Sequence, residues 1–552
     1  MDLSRRAFTG GALSIALGSQ LGAPAFAQAG TRLSEAFAAI RAYGEAHLSY
    51  FGLPGMTLGL TTPGNPASLL EFGYANADAR TPITTDTLFQ VGSISKVMVS
   101  AVVHQLAAEG RLNLTDRVSA LLPSVPLPGG NSVQVQHLLD HVAGLPSDAP
   151  LFPTGGLWTA YAPGAHWHYS NTGYAILGKL AERAGGKPLR QLLAERIFGP
   201  LAMSRSRGAI IGAERTLYAQ GYEAADMTVP FARGVPLAPA AWVDVTEGAG
   251  CVASTAEDMT RFLRSLASAV QGRGGLGLSP EAAKAFTSHF VPSDTPGMSY
   301  GNGLMHVANA GRSYLHHTGG MVAFSSSFHV DVASAVAAFA SSTITGFAEY
   351  RPRLLTRFAV DALTNALAGR ALPAPPPLDT RLSNPSAYVG GYVGPSGAFD
   401  VRAGAPLTIV TRTGEAALQP WGDELFRTTH PDFRHFSLKF EKSGAAVSGA
   451  NWGPASFVRQ GSARPLSKSN PALARLAGRY VNDSPWWGTM MIVERGGKLW
   501  VGTEEPMTRI GENLWRVGEE SWSPERASFD DFIDGRPQVL VLAGEKFLRH
   551  DI

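Results

Sequence analysis

The last third of the chain repeats itself once. Tyr388-Val389-Gly390-Gly391-Tyr392, preceded by Asn384-Pro385, is echoed by Leu476-Ala477-Gly478-Arg479-Tyr480, preceded by Asn470-Pro471. Gly422-Asp423-Glu424-Leu425-Phe426-Arg427 is echoed by Gly511-Glu512-Asn513-Leu514-Trp515-Arg516, and Phe457-Val458-Arg459 by Phe547-Leu548-Arg549. Aligning Tyr392 with Tyr480, Gly422 with Gly511 and Phe457 with Phe547 gives offsets of 88, 89 and 90 residues. Two copies at so long a period are not a solenoid, in which several short repeats stack to bury one continuous core. Each copy must close its own core. Each reads as short strands with glycine turns, and a small antiparallel sheet removes its edges by closing on itself. We therefore expect two small antiparallel β-barrels, residues 381–462 and 463–552. They follow a stiff extended linker, residues 371–380, opening Ala371-Leu372-Pro373-Ala374-Pro375-Pro376-Pro377. Barrels this small are filled by their own side chains rather than by a lipid.

Ahead of the linker, chemistry concentrates at Phe89-Gln90-Val91-Gly92-Ser93-Ile94-Ser95-Lys96. Ser93 and Lys96 stand three apart and share one face of a helix. A serine hydroxyl is a weak nucleophile until a base takes its proton, and a lysine does so when burial lowers its pKa. The following run, Val97-Met98-Val99-Ser100-Ala101-Val102-Val103, is apolar enough to sink this turn into a core. Ser-x-x-Lys alone also fits a capping serine followed by a solvated lysine, so the rest of the chain must decide.

Composition excludes several classes. The 552 residues are 45% hydrophobic and 16% charged, which is globular, and the net charge of +2 leaves no electrostatic footprint for nucleic acid. Cys251 is the single cysteine, so no intrachain disulfide and no cysteine metal site exists; in its glycine-flanked apolar context it reads as a buried, inert thiol. Ser4-Arg5-Arg6-Ala7-Phe8, the short apolar stretch from Gly10 to Leu21, and Ala25-Phe26-Ala27 read as a twin-arginine export signal, residues 1–27, with a small-residue cleavage site. The apolar stretch is too short to span a bilayer stably. The expected location is periplasmic or secreted, with no membrane span once the signal is removed.

The body of the chain mixes helix and strand. Leu33, Phe37, Ala38, Ile40 and Leu48 recur at helical spacing; Met56–Leu60 and Ser68–Gly73 read as strands; the Ser93 helix ends near Gly110. Val133 to His141 is a short helix closed by Gly144-Leu145-Pro146. Its His137 and His141 have the i, i+4 spacing of zinc ligands, but Leu138 replaces the glutamate of H-E-x-x-H, so they read as structural, as does His166-Trp167-His168. Tyr169-Ser170-Asn171 precedes a helix from Tyr174 to Ala184. A tyrosine there can relay a proton and an asparagine can hold a lysine or a carbonyl, although Asn171 is equally a good helix cap. Ser254 and Glu257 form a capping-box pattern. Phe324 to Val330 and Ser334 to Ser342 read as strands of one antiparallel sheet, with His317-Thr318-Gly319 on the strand leading in, and Tyr350 to Ala368 closes the domain as a helix.

Ser93-x-x-Lys96, Tyr169-x-Asn171 and His317-Thr318-Gly319, in this order, resemble the serine beta-lactamase-like superfamily. The flanking sequence is similar to its class C branch, which includes D-alanyl-D-alanine carboxypeptidases, D-aminopeptidases and esterases. His137-Leu138-Leu139, Gly144-Leu145-Pro146, Pro163-Gly164 and Ser254-Thr255-Ala256-Glu257-Asp258 extend the match over about residues 33–368. The resemblance implies an α+β fold: a beta-lactamase-like catalytic domain (28–370), a five-stranded antiparallel sheet beside helices, followed by the two barrels. It implies Ser93 as acylated nucleophile, Lys96 and Tyr169 as a coupled base and acid, and Asn171, His317 and Thr318 at the substrate. The oxyanion hole would be the backbone N–H groups of Ser93 and Gly320. No metal and no cofactor is implied, and the partner is a small-molecule or peptide substrate.

One position departs from the pattern. Many members carry a lysine where His317 stands, and a neutral imidazole offers no fixed charge to a substrate carboxylate. D-aminopeptidases of this superfamily also carry two lipocalin-like barrels, one of which sends a loop to the active site. Together these imply an amidase or peptidase, in one version acting on D-amino-acid-containing or linearised nonribosomal peptides, with a carboxylesterase or beta-lactamase on the same site as the alternative. A non-catalytic penicillin-binding-like sensor or scaffold is the alternative of another class. Asn482-Asp483-Ser484-Pro485-Trp486-Trp487 and Thr428-Thr429-His430-Pro431-Asp432 are the candidate site-facing loops, although Trp486 and Trp487 read first as barrel core.

Overall fold

The protein is described here by a computed structural model. It covers residues 23–127, 132–153, 155–309, 311–344, 352–379, 382–422, 424–444, 446–463, 465–466 and 468–550, with backbone alone for 23–30. Most of the stretch read as an export signal, residues 1–22, lies outside the described residues. Among the described residues, no helix is long and apolar enough to cross a membrane.

Among the described residues, the first domain is built on a nine-stranded antiparallel sheet, wider than the five strands expected. From one edge its order is Thr81–Pro82, Ser68–Asn76, Gly55–Thr61, Ala337–Ser342, Ser325–Asp331, Arg312–Gly320, Leu304–Asn309, Met298–Gly301 and Val291–Pro292. The central strands Gly55–Thr61, Ser325–Asp331 and Ala337–Ser342 are buried along their whole length, because helices cover both faces. On one face the helix Ala23–Phe51 and the closing helix Arg353–Leu367 pack through Ile40, Tyr43, Leu355 and Phe358. On the other the helices Ser95–Ala108, Asn171–Gly185 and Ala256–Val270 pack through Val99, Val103, Ile176, Phe262 and Leu266. The Ser95–Ala108 helix is apolar almost all round and is correspondingly the central helix of that layer.

Two helix starts differ from the sequence patterns. Ser170, not Asn171, caps the helix Asn171–Gly185, accepting from Gly173 N. Thr255, not Ser254, caps Ala256–Val270, accepting from Asp258 N. In both cases the alternative residue is engaged elsewhere: Asn171 faces Lys96 and Asp148, and Ser254 bonds Ser206.

Beyond the extended linker the chain closes two eight-stranded antiparallel barrels, with strands spanning Gly390–Arg459 and Gly478–His550. The sequence repeat between them is legible in their contacts. Tyr392 and Tyr480 are both buried and donate their hydroxyls to the carbonyl four residues upstream, Tyr388 O at 2.8 Å and Leu476 O at 2.7 Å. Arg459 and Arg549 reach back across the barrel to Val389 O at 2.6 Å and Ala477 O at 2.7 Å. Phe426, Phe440 and Phe457 fill the first barrel; Trp515, Phe529 and Phe547 fill the second.

Each barrel is tied down. Gln419 and Arg427 of the first bond the backbone of Arg233 and Phe231 in the first domain. Arg495 of the second bonds Gly453 O of the first at 2.6 Å. The second barrel also lies against the first domain: Trp522 stacks on His166 at 4.5 Å, and Trp158 Nε1 donates to Pro524 O at 2.7 Å.

Candidate active site

Ser93 sits in a tight turn, Gly92–Ile94, immediately before the central helix. Three neighbours pin this turn. Ser95 Oγ donates to Gly92 O at 2.6 Å and accepts from Val252 N at 2.9 Å, and Ser326 Oγ donates to Val91 O at 2.7 Å. The strand ending at Gly320 passes so close that a Cβ on Gly319 would lie 1.9 Å from Val91 O. Gly92 has a φ of 56°, and its Cβ would lie 2.8 Å from Gly320 N. Only glycine permits both the left-handed turn and this approach.

Lys96 is fully buried behind the half-exposed Ser93. Its Nζ contacts Ser93 Oγ at 3.0 Å, Asn171 Oδ1 at 2.6 Å and Ala249 O at 2.8 Å. The orientation of the Asn171 amide follows from its other end, where Nδ2 donates to Asp148 Oδ1 at 2.7 Å. Asn171 Oδ1 and Ala249 O can only accept. A neutral Lys96 therefore spends its two hydrogens on them and turns its lone pair to Ser93 Oγ, the one contact that can donate. Burial pushes the Lys96 pKa down from 10.5 to about 7, against the pull of Asp148 and Cys251. Burial raises Asp148, against the Asn171 hydrogen bond and the Lys96 charge. Cys251 is free and buried, and desolvation pushes its thiol up to about 12, far from a nucleophile.

Tyr169 lies beside Lys96, with Nζ 4.9 Å from its ring centroid. An aromatic cage backs it. His141 packs 4.3 Å from the Tyr169 ring and 4.5 Å from Tyr300, and its Nδ1 accepts from Ser170 N at 3.1 Å. His137 Nδ1 accepts from Gln134 N at 3.1 Å. This histidine pair fixes loops. Among the described residues, no group of three or more His, Cys, Asp or Glu is arranged to hold a metal.

A cavity of about 340 Å³ opens in front of Ser93. Ser93, Asn171 and Gly320 line it, whereas His317 and Thr318 are not on its wall. His317 is buried: Nδ1 meets Thr318 O at 2.6 Å and Nε2 meets Tyr300 OH at 3.2 Å, behind Tyr169. Burial and the Lys96 charge push it down to about 3, so it is neutral.

Four carboxylates escaped the sequence reading. Asp148, Asp244, Glu247 and Glu545 all line the cavity, and among its described lining residues there is no lysine or arginine. Their signal was absent from the sequence because Asp148, Asp244 and Glu247 lie on loops of no fixed motif and Glu545 opens the last barrel strand, far from Ser93 in the chain. The two tryptophans read as barrel core do more than that. Trp487 packs into the second barrel near Phe547, but Trp486 packs against the Phe89 and Phe324 cluster, and both line the cavity. The loop Thr428–Asp432 is instead turned into the first barrel, where His430 bonds Thr411 and Gly414.

A sequence model of the Beta-lactamase family matches residues 40–361, more than half of the chain. The chain is 29% identical over 223 residues to a beta-lactamase of Escherichia coli K12, covering 39% of this chain and 56% of that protein. It is 30% identical over 221 residues to penicillin-binding protein 4* of Bacillus subtilis, covering 36% and 48%. The chain thus spans about half the length of these curated relatives. Among solved structures, the octameric penicillin-binding protein homologue from Pyrococcus abyssi superposes with a TM-score of 0.55 over 76% of this chain and 99% of that one. At 21% identity this is a likeness of fold. The sheet, the helix layer and the turn that carries Ser93 all fall within the matched span, and the chain belongs to the beta-lactamase family.

Proposed function

We propose that this chain is an exported serine hydrolase that opens an amide or peptide bond through an acyl-enzyme on Ser93. The observation that carries the reading is Lys96 Nζ, 3.0 Å from Ser93 Oγ and held by burial near a pKa of 7. At neutral pH a large share of Lys96 is an amine and takes the Ser93 proton as Oγ attacks the carbonyl. The backbone N–H groups of Ser93 and Gly320 receive the oxyanion, Asn171 orients Lys96, and Tyr169 with Lys96 returns the proton to the leaving amine. Water then releases the acyl group by the same route. Export rests on residues 1–27 of the sequence.

The cavity lining supports an amine-bearing substrate. A substrate carboxylate would meet Asp148, Asp244, Glu247 and Glu545 with no compensating lysine or arginine on the described wall, and His317 is neutral. Burial, with a smaller push from repulsion by Glu247 of the catalytic domain, raises the pKa of Glu545 on the barrel. A substrate ammonium relieves that repulsion. This favours an aminopeptidase or aminoacyl amidase over a beta-lactamase.

The test is hydrolysis by wild type and Ser93→Ala of p-nitroanilides of D- and L-amino acids, their N-acetyl counterparts, a p-nitrophenyl ester and nitrocefin. Ser93-dependent cleavage of free-amine anilides, at least about tenfold faster than the acetylated ones, is expected. Ester turnover alone would make the protein an esterase. Efficient nitrocefin turnover would overturn the amine reading.

A further inference from the structure

Glu525 belongs to the second barrel, in the segment leading into the strand Arg526–Ile533. Its Oε1 accepts from Ser147 N at 2.7 Å and lies 2.9 Å from His168 Nε2. A carboxylate only accepts, so Nε2 carries the hydrogen. Burial opposes charge on Glu525, yet the bonds from His168 and Ser147 together hold its carboxyl below the usual glutamate range.

The two groups it grips belong to different loops of the catalytic domain. Ser147 is followed by Asp148, and His168 is followed by Tyr169, Ser170 and Asn171. These loops are stitched together next to Glu525. Ser147 O accepts from Asn171 N at 2.7 Å and from Thr172 N at 3.2 Å, and Asp148 accepts from the Asn171 amide. Asn171 Oδ1 then accepts from Lys96 Nζ. A continuous line of contacts runs from Glu525 through Ser147 and Asn171 to Lys96 and Ser93. Neither loop is held here by regular secondary structure of its own, and a shift of about 1 Å in a catalytic group is enough to cost a large part of the rate.

We infer that Glu525 is a positioning residue for the Ser93–Lys96 pair. By clamping Ser147 and His168, the docked barrel fixes the loops that hold Asn171 against Lys96, so the catalytic domain is complete only with the second barrel seated on it. This rests on the acyl-enzyme reading above.

The test uses the full-length protein and a fluorophosphonate, which labels an activated serine whatever the natural substrate. Glu525→Ala and Glu525→Asp, the latter too short to reach both partners, are expected to slow Ser93 labelling at least about tenfold. Glu525→Gln, whose amide oxygen still accepts from Ser147 N–H and His168, is expected to stay within about threefold of wild type. Trp522→Ala, which trims a ring contact on His166 but leaves Glu525 bonded to Ser147 and His168 and the barrel seated, is expected to label close to the wild-type rate. Glu525→Asp labelling at the wild-type rate overturns the inference, as does a Trp522→Ala effect as large as that of Glu525→Asp. If Glu525→Ala does not fold, Glu525→Asp decides by the same criteria. A wild type that never labels overturns the hydrolase reading and this inference with it, whereas equal labelling of wild type and Glu525→Asp overturns this inference alone.

Discussion

Lys96 Nζ lies 2.6 Å from Asn171 Oδ1, closer than its 3.0 Å to Ser93 Oγ. The asparagine thus holds the amine where its lone pair meets the serine, and Asp148 holds the asparagine. Burial of that amine has consequences for both rate and stability.

Activity should rise with pH around 7 as Lys96 loses its proton. Lys96→Met should lower kcat/KM by about a hundred- to ten-thousandfold. Its effect on stability has a definite sign. Between about 7 and 10.5 the folded state holds fewer protons on Lys96 than the unfolded state, so the unfolding free energy of the wild type rises with pH across that window. The slope is up to about 1.4 kcal/mol per pH unit. The Tm of Lys96→Met relative to wild type should therefore be highest below pH 7 and fall as the pH approaches 10. Paired thermal melts across that range check this.

Asp148→Asn should separate two roles of one carboxylate. Asp148 favours the charged form of Lys96, so its loss should move the midpoint of the pH–rate profile to lower pH. It also removes a charge from the cavity wall. The preference for free-amine over N-acetyl anilides should fall by about tenfold, worth about 1.4 kcal/mol. Measuring both substrates over a range of pH reads the two effects independently.

Trp486→Ala should act on binding more than on chemistry. The ring lines the cavity and packs on the first domain near Phe89 and Phe324. KM for anilides should rise several-fold with kcat changed less, and urea unfolding should show a loss of about 1–3 kcal/mol.

Gly319→Ala should disrupt the turn that carries Ser93. A Cβ placed 1.9 Å from Val91 O and 2.4 Å from Ser326 Oγ cannot be accommodated without moving the strand away from Val91. We expect destabilisation of more than about 3 kcal/mol and loss of Ser93 labelling in whatever fraction stays folded. Denaturant unfolding and fluorophosphonate labelling report the two losses.

The chain by itself determined whatever lies within a few residues. The spacing of Ser93 and Lys96 follows from one helical turn, and the apolar run after Lys96 announces its burial. Two barrels were legible because Tyr392 and Tyr480, or Arg459 and Arg549, recur with their neighbours intact. Tertiary structure decided the rest, because desolvation and long-range contact have no local signature. His317 reads as a substrate contact until packing turns it toward Tyr300. Asn171 reads equally as a cap and as a holder of a lysine or carbonyl until the fold sets it against Lys96. Trp486 reads as barrel core, and only the docked barrel brings it to the cavity. Ser147 and Glu525 are 378 residues apart, and nothing in either stretch of sequence marks the bond between them. A hydrogen bond between side chain and backbone on separate domains is set by how two finished surfaces meet, which no single segment encodes.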